Sequence, residues 1–475
     1  LRLARRAGLP GFALPLGAAV FVAVPPSWEF APSGLETGLS LGWLGLTFWA
    51  LAAGGGSRPY ACAALAGCGP LIRPDLAVLS AAFLLVLLLD AGWRPRRVAG
   101  IVLAGGAAPL AYQVFRMGYF GALVPNTALT KEAGMAYWAQ GWLYLRDFAR
   151  PYLLWAPLGA LALWGLALRR HTWPDEAGGQ RRSLLPLLVL PPLGALLHGL
   201  YVVRVGGDFM HGRMLLPTLF ALLLPVMVVA GTRWWQPLLP AVVVLPWVVG
   251  AGLWLRPPYY FNPGPEPPRS VGREGIADER GFYVRLARHP HPVTLADYGE
   301  APWAQEGHAL RRRAAAERGL LTWEDAVRAG SIGATPALPL LPDVAADLVA
   351  VRNNIGLSGY AAGSRVHLID RLGLGDPLAS RLRLERRSRP GHEKTLLDAW
   401  AVARFGAPEG TGGTEEAAVG AARAALACEP LRALLRAVEA PLTPGRFVAN
   451  VAAARRLTAL RVPADPQAAR RQVCP

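Results

Sequence analysis

The feature that most constrains this chain is a series of apolar runs close to the length that crosses a bilayer. Leu76–Leu89, Leu153–Leu168, Leu184–Val203, Met214–Ala230 and Leu238–Leu255 contain no Asp, Glu, Lys or Arg. A helix needs about 20 such residues to span a hydrocarbon core of roughly 30 Å. The runs recur, so a single signal peptide does not account for them. Composition agrees. Only 17% of the 475 residues are charged, against roughly 25% in an average soluble domain, and mean hydropathy is +0.29. The net charge of +17 raises nucleic acid as a partner. The basic residues are scattered among loops instead of gathered on one face, which argues against it. Nearly all are arginine; the only lysines are Lys131 and Lys394.

The spacing predicts spans near residues 9–25, 37–53, 59–72, 74–91, 97–115, 151–169, 184–203, 213–231 and 236–255. The run at 59–72 is short and suits a tight hairpin or a half-buried segment. Placing the N-terminal LRLARR in the cytoplasm leaves Arg58, Arg94, Arg96, Arg97, the loop from Arg169 to Arg182 and Arg233 on the same side, as the positive-inside rule requires. The opposite loops then all face the exterior: Pro25–Thr37, Ile72–Asp75, Arg116–Arg150 and the segment VRVGGDFMHGRMLLP beginning at Val203. Ionisable residues at a membrane surface must pair or line a polar cavity. That last loop therefore reads as the lining of such a cavity.

Residues 1–255 read as the multi-span membrane domain and 256–475 as an exterior soluble domain of α/β or α+β type. The linker RPPYYFNPGPEPPRS lacks amide donors at its prolines and forms no regular element. Ala309–Ala329 reads as one amphipathic helix, with Thr322 as a possible N-cap. Asp347–Arg352 and Arg365–Asp370 read as strands joined by NNIGLSGYAAGS. GLSGYAAG is not the GxGxxG fingerprint of dinucleotide sites. Glu416–Ala440 reads as helices. Cys62 and Cys68 lie in an apolar run and read as small buried hydrophobes. Cys428 and Cys474 are the only cysteines of the exterior domain, where a disulfide is permitted. No spacing suggests a metal site, and no cofactor is called for.

With the exterior loops assembled, a resemblance emerges. SGLET (Ser33–Thr37), IRPD, YFGALVPNTALTKEAG (Tyr119–Gly134), RVGGDFMHGRMLLP, NIGLSGYAAG with VHLIDRLGLGDP, and RPGHEK (Arg389–Lys394) resemble the terminal β-arabinofuranosyltransferases of mycobacterial and corynebacterial cell walls. These belong to the GT-C superfamily of membrane glycosyltransferases. The resemblance implies a polytopic helical membrane domain of GT-C type with an exterior C-terminal domain. It implies a polyprenyl-phosphate arabinofuranose donor such as a decaprenyl phosphate, and arabinan ends of arabinogalactan and lipoarabinomannan as acceptor. GT-C enzymes carry an essential acid in their first exterior loop. The first exterior acids here, Glu29 and Glu36, stand in a different context. The chain starts at Leu1, so that acid is expected upstream of it.

The chemistry of a lipid-phosphate donor picks out side chains on its own. The phosphate needs cations, and a guanidinium grips phosphate through paired, charge-assisted hydrogen bonds. Arg73, Lys131, Arg204 and Arg213 are the exterior candidates, with His211 beside them. Lys131 reads equally as a solvated loop charge, and His211 as an ordinary loop histidine. Asp208 reads as the catalytic base or acceptor-orienting group, or as the ion-pair partner of Arg204 or Arg213. Glu36, Asp75 and Asn126 are candidates for sugar and acceptor hydroxyls, or for local caps and pairs. Trp28, Tyr119, Tyr137 and Trp138 suit sugar stacking or an interfacial aromatic belt.

Two alternatives stay open beside arabinosyl transfer: a GT-C mannosyltransferase, and a non-catalytic membrane protein. Flagellar motor-control homologues share the GGDFM-type loop, and a lipid-sugar translocator belongs to the same alternative. A transporter is expected to show related halves, and no internal repeat is visible.

Overall fold

The computed structural model describes residues 12–54, 57–92, 94–171, 185–260, 271–272, 274–409 and 415–474. The N-terminal LRLARR, the start of the 9–25 run, most of the 169–182 loop and the centre of the proline-rich linker lie outside them.

The chain divides into two compact units: residues 1–112 with 136–278, and residues 113–135 with 279–475. The sequence suggests one boundary at 255. Instead the first unit continues to 278, because Ala277 pairs with the GGDFM loop (Ala277 N to Phe209 O 2.7 Å, His211 N to Ala277 O 3.0 Å). Residues 113–135 belong to the second unit through bonds such as Asn450 Nδ2 to Gly118 O, 2.9 Å, and Leu123 N to Thr458 Oγ1, 2.8 Å.

The first unit is helical. Among the described residues, three helices are long and apolar enough to cross a membrane: α1 (Thr37–Gly54), α2 (Pro95–Phe120) and α3 (Leu185–Val205). Helix α3 shows why. Leu187, Pro191, Ala195, His198 and Val202 recur at helical spacing and are buried, while Val189, Leu193, Leu196, Leu197 and Leu200 are exposed. A helix apolar on its inner and outer faces suits a membrane span or the core of a large protein.

The other apolar runs form shorter pieces. The 9–25 run is a helix over Leu16–Ala23 followed by a turn of helix over Pro25–Glu29. The 59–72 run is Pro59–Gly67 followed by Gly69–Ile72. The 74–91 run opens with a 3-10 turn over Pro74–Leu76 before Ala77–Asp90. The expected span 213–231 is not one helix: Leu216–Leu223 is flanked by 3-10 turns, and Val229–Ala230 pairs antiparallel with Ala13–Leu14. Pro225 in the second turn has no amide to continue the helix.

The second unit is built on a parallel three-stranded sheet, β1 (Gly319–Leu321), β2 (Leu348–Arg352) and β3 (Val366–Asp370), in that spatial order. Every residue of β2 is buried, as the central strand of a parallel sheet requires. Helix α4 (Ile355–Ala362) makes the crossover from β2 to β3. The single helix expected over 309–329 is corrected. It is α5 (Pro302–Ala316), then β1, then α6 (Trp323–Ala329). Gly319–Leu321 pairs with Leu348–Ala350, and that distant partner overrides the local helical pattern. Thr322 does cap α6, accepting from Asp325 N at 3.2 Å. The core joins Val349, Val351, Ile369 and Trp400 to the helices Glu416–Ala427 and Glu429–Glu439.

Cys428 and Cys474 are joined by a disulfide with Cα atoms 5.5 Å apart. It ties the last helix, Pro466–Val473, to the body of the unit. With its ends 46 positions apart in sequence, chain entropy gives about 4 kcal/mol at most. Peptide mapping without reductant is expected to recover the Cys428 and Cys474 peptides linked. Maleimide labelling of both thiols before reduction would contradict the bond.

Candidate active site

The first unit gathers its charged side chains around the loop Gly206–Arg213, which leaves α3 at the end of its apolar run. Gly206 and Gly207 have φ of +93° and +72°. A Cβ at Gly207 would lie 2.3 Å from the Tyr144 ring. Only glycine lets the backbone turn so close to that ring. Tyr144 in turn holds the loop: its hydroxyl donates to Met210 O at 2.8 Å and accepts from Met214 N at 3.1 Å.

Arg213 is the hub. Its Nη1 donates to Asp208 Oδ2 at 3.1 Å, and its Nη2 reaches both Glu36 oxygens at 2.8 and 3.0 Å. Arg73 adds a second cation. Its Nη1 donates to Glu36 at 3.3 Å, and its Nε and Nη2 clasp Asp75 at 3.0 and 2.8 Å. Asp75 also meets His198 Nε2 at 2.9 Å, while His198 Nδ1 meets Thr218 Oγ1 at 2.8 Å. Glu36, Arg73, Asp75, Asp208 and Arg213 thus form one continuous network. Three carboxylates face two guanidiniums in it.

Exposure separates the members. The Asp208 side chain is 0% exposed, and Asp75 and Arg73 are nearly closed, but Glu36 is 29% exposed. Asp208 binds Phe209 N at 2.9 Å and Arg213. Its carboxylate is enclosed and bonded to the loop and to Arg213, one of the ion pairs that the sequence offered beside the reading as base or acceptor-orienting group. Glu36 is the most exposed carboxylate of this network.

His211 is also sealed. Its Nδ1 lies 2.6 Å from Asp147 Oδ2 and its Nε2 lies 3.1 Å from Tyr152 OH. Both ring nitrogens are engaged inside the protein; the sequence offered this ring for phosphate contact or as an ordinary loop histidine. Tyr259 donates to the same Asp147 oxygen at 2.6 Å. Burial first, then the Asp147 carboxylate, hold the Tyr259 phenol well above its ordinary range, so it stays a donor. Tyr260 donates to Glu29. Arg204 sits in the last turn of α3, where its carbonyl accepts from Tyr137 N at 2.6 Å.

Lys131 and Asn126 fall in the second unit. Asn126 Oδ1 accepts from Arg381 Nη1 at 3.2 Å. The Lys131 carbonyl accepts from Arg387 Nη1 at 3.3 Å. Next to it, Glu132 takes Lys394 Nζ at 2.7 Å and Arg461 Nε at 3.1 Å.

The AftB family C-terminal domain matches residues 302–472. The terminal β-(1→2)-arabinofuranosyltransferase of Mycobacterium tuberculosis H37Rv is 36% identical over 96% of this chain and 78% of its own length. The protein of the same name from Corynebacterium glutamicum ATCC 13032 is 33% identical over 92% of this chain and 69% of its own. The chain belongs to this family of glycosyltransferases. No solved structure matches it.

Sequence reasoning found the Glu36–Arg73–Asp75–Asp208–Arg213 set but missed His198, Asp147, Tyr144, Tyr152, Tyr259 and Tyr260. His198 had a signal: the apolar stretch Leu184–Val203 holds no Asp, Glu, Lys or Arg and this single histidine. The tyrosines had none, because Tyr259 and Tyr260 stand in what reads as a linker.

Proposed function

We propose that this chain is a membrane enzyme that moves an arabinofuranosyl unit from a polyprenyl-phosphate donor to the arabinan ends of cell-wall polysaccharide, on the exterior face. Kinship with the β-(1→2)-arabinofuranosyltransferases supports the sugar. The observation that carries the chemistry is the position of Glu36, the open carboxylate of a network otherwise closed.

Glu36 accepts the proton of the acceptor hydroxyl. The acceptor oxygen forms its bond to the anomeric carbon while the bond from that carbon to the phosphate oxygen breaks. Polyprenyl phosphate leaves with the electron pair. Positive charge grows on the sugar in the transition state, as in other glycosyl transfers. The carboxylates around Glu36 outnumber the guanidiniums, which favours that growth, and groups held in place cost no reorganisation as it happens. Arg73 and Arg213 hold Glu36 in position, and Asp75, Asp208 and His198 hold the arginines.

Asp208→Asn and Arg213→Ala test the support. Each loosens Glu36, and transfer from a lipid-phosphate arabinose to a synthetic arabinan acceptor is expected to fall by about tenfold or more, the size of one lost charge-assisted hydrogen bond. Size-exclusion profiles in detergent establish that the variants are folded. Near-normal turnover in both would remove the network from the reaction.

A further inference from the structure

The first unit holds a second hydrogen-bonded cluster, which the proposed chemistry of Glu36 does not use. Its centre is His211, two residues before Arg213. Helix Trp138–Ala149 supplies Asp147, and the turn after that helix supplies Tyr152. Tyr259 comes from the segment that follows the apolar helix Leu238–Leu253. Asp147 Oδ2 lies 2.6 Å from His211 Nδ1 and accepts from the Tyr259 hydroxyl at 2.6 Å. The same hydroxyl lies 3.0 Å from Nδ1, and Tyr152 OH lies 3.1 Å from Nε2. Phe148 and Tyr260 enclose the ring, with centroids 5.9 and 5.2 Å away.

The partners assign the protons. The Tyr259 phenol keeps its proton and donates it to Asp147. An ionised carboxylate only accepts, so the proton between Asp147 and His211 sits on Nδ1, and Nε2 accepts from Tyr152. The ring is thus specified at both nitrogens. The backbone beside it is fixed as well: Met210 pairs with Ala277, and His211 N donates to Ala277 O at 3.0 Å. Only Gly212 stands between this ring and Arg213. Its φ is +68°, and a Cβ there would lie 2.7 Å from the Phe148 ring, so the turn is tight and needs glycine. His211 and Tyr152 are 1% and 0% exposed. Side chains closed off in this way act on a substrate only through other residues.

We propose that Asp147, His211 and Tyr259 are positioning residues for the transfer: they set the place of Arg213 and, through it, of Glu36. The segment that follows Leu238–Leu253 is then part of the frame of the site. This rests on the reading of Glu36 given above and adds the residues that hold the loop of its arginine.

The test measures transfer by the full chain in detergent, per folded molecule, in Tyr259→Phe, His211→Ala, His211→Asn and Arg213→Ala. Tyr259→Phe removes one oxygen and keeps the ring. It is expected to lower kcat about tenfold, the size of one hydrogen bond to a charged group, with KM for donor and acceptor changed by less than about twofold. His211→Ala is expected to lower kcat about 10²-fold, as a displacement of about 1 Å does. His211→Asn places an amide N–H near the position of Nδ1 and is expected to recover about tenfold of that loss. Residues that act as a unit are not additive, so Tyr259→Phe added to Arg213→Ala should cost less than about twofold more. A role in folding alone would lower the yield of folded protein and leave kcat per folded molecule at the wild-type value. Wild-type kcat in Tyr259→Phe, a loss carried by KM, or a full tenfold further loss in the double variant overturns the proposal. These readouts decide it even where His211→Ala does not fold. Independently of turnover, nitrogen NMR spectra of the histidine-labelled chain are expected to show His211 protonated at Nδ1, and a ring protonated at Nε2 alone contradicts the bonding. Glu36→Gln separates the two readings. If it abolishes transfer while Tyr259→Phe keeps wild-type kcat, the positioning fails and the base stands. If it transfers normally while Tyr259→Phe loses kcat only where Arg213 is present, the base fails and the positioning of Arg213 stands.

Discussion

Glu36→Gln is expected to lower turnover by about 10²–10⁴-fold, the usual contribution of a positioned base, with little change in the amount of folded protein. Glutamine keeps the size of the side chain and one oxygen for Arg213 or Arg73. It cannot take a proton. The effect should fall mainly on kcat, because the lost step is the chemistry. Asp208→Asn should act differently. Asp208 has 0% side-chain exposure, so its replacement should act through Arg213 and the loop, with a smaller loss of turnover accompanied by lower stability. If Glu36→Gln turned over normally and Asp208→Asn did not, the roles assigned here would be reversed.

Glu132→Ala is expected to cost about 3–5 kcal/mol of stability in the second unit, the usual penalty for stranding a buried charge. The Lys394 side chain is fully enclosed and has Glu132 as its carboxylate partner, with Leu129 O and Ser380 O completing its bonds. Burial raises the pKa of Glu132, but hydrogen bonds and charge from Arg461 and Lys394 outweigh it, and the net displacement is downward from 4.5. The folded form therefore binds this proton less readily than the unfolded chain. Its stabilisation is complete above the unfolded value and is lost as pH falls through the folded one. Denaturant unfolding of the full chain in detergent should show wild type weakening below about pH 4.5, with that limb flattened in Glu132→Gln. An unchanged acid limb in the variant would remove Glu132 from the account.

How much of this was legible in sequence depends on the distance over which each partner lies. Charges set in apolar surroundings are visible one by one, so Arg73, Asp75, Asp208 and Arg213 all stood out. Their pairing was visible only where it is local. Arg213 and Asp208 are five residues apart, but Arg213 and Glu36 are 177 apart, and no periodicity reports such a contact. Exposure was equally hidden. Asp208 and Glu36 look alike as letters, and only the folded packing closes one and leaves the other open.

The same limit shaped the fold. The alternation from β2 through α4 to β3 was readable because each piece has its own pattern. Gly319–Leu321 was not, since three apolar residues fit a helix or a strand and the choice belongs to Leu348–Ala350. The break at Pro225 was readable in principle, because proline's missing amide acts locally. The long apolar run around it dominated the pattern. The segment 113–135 could not be assigned to its unit from sequence, since its bonds run to residues more than 240 positions later, from Thr130 to Gly373 and from Leu123 to Thr458.

The most direct measurement offers the purified full chain in nanodiscs two donors side by side, polyprenyl-phosphate arabinofuranose and polyprenyl-phosphate mannose, with a synthetic arabinan acceptor, and reads the product linkage by NMR. The account predicts a β-(1→2)-linked arabinofuranosyl product, one polyprenyl phosphate released per transfer, and none of this product with Glu36→Gln. A mannosyl product, or no product from either donor, would contradict it.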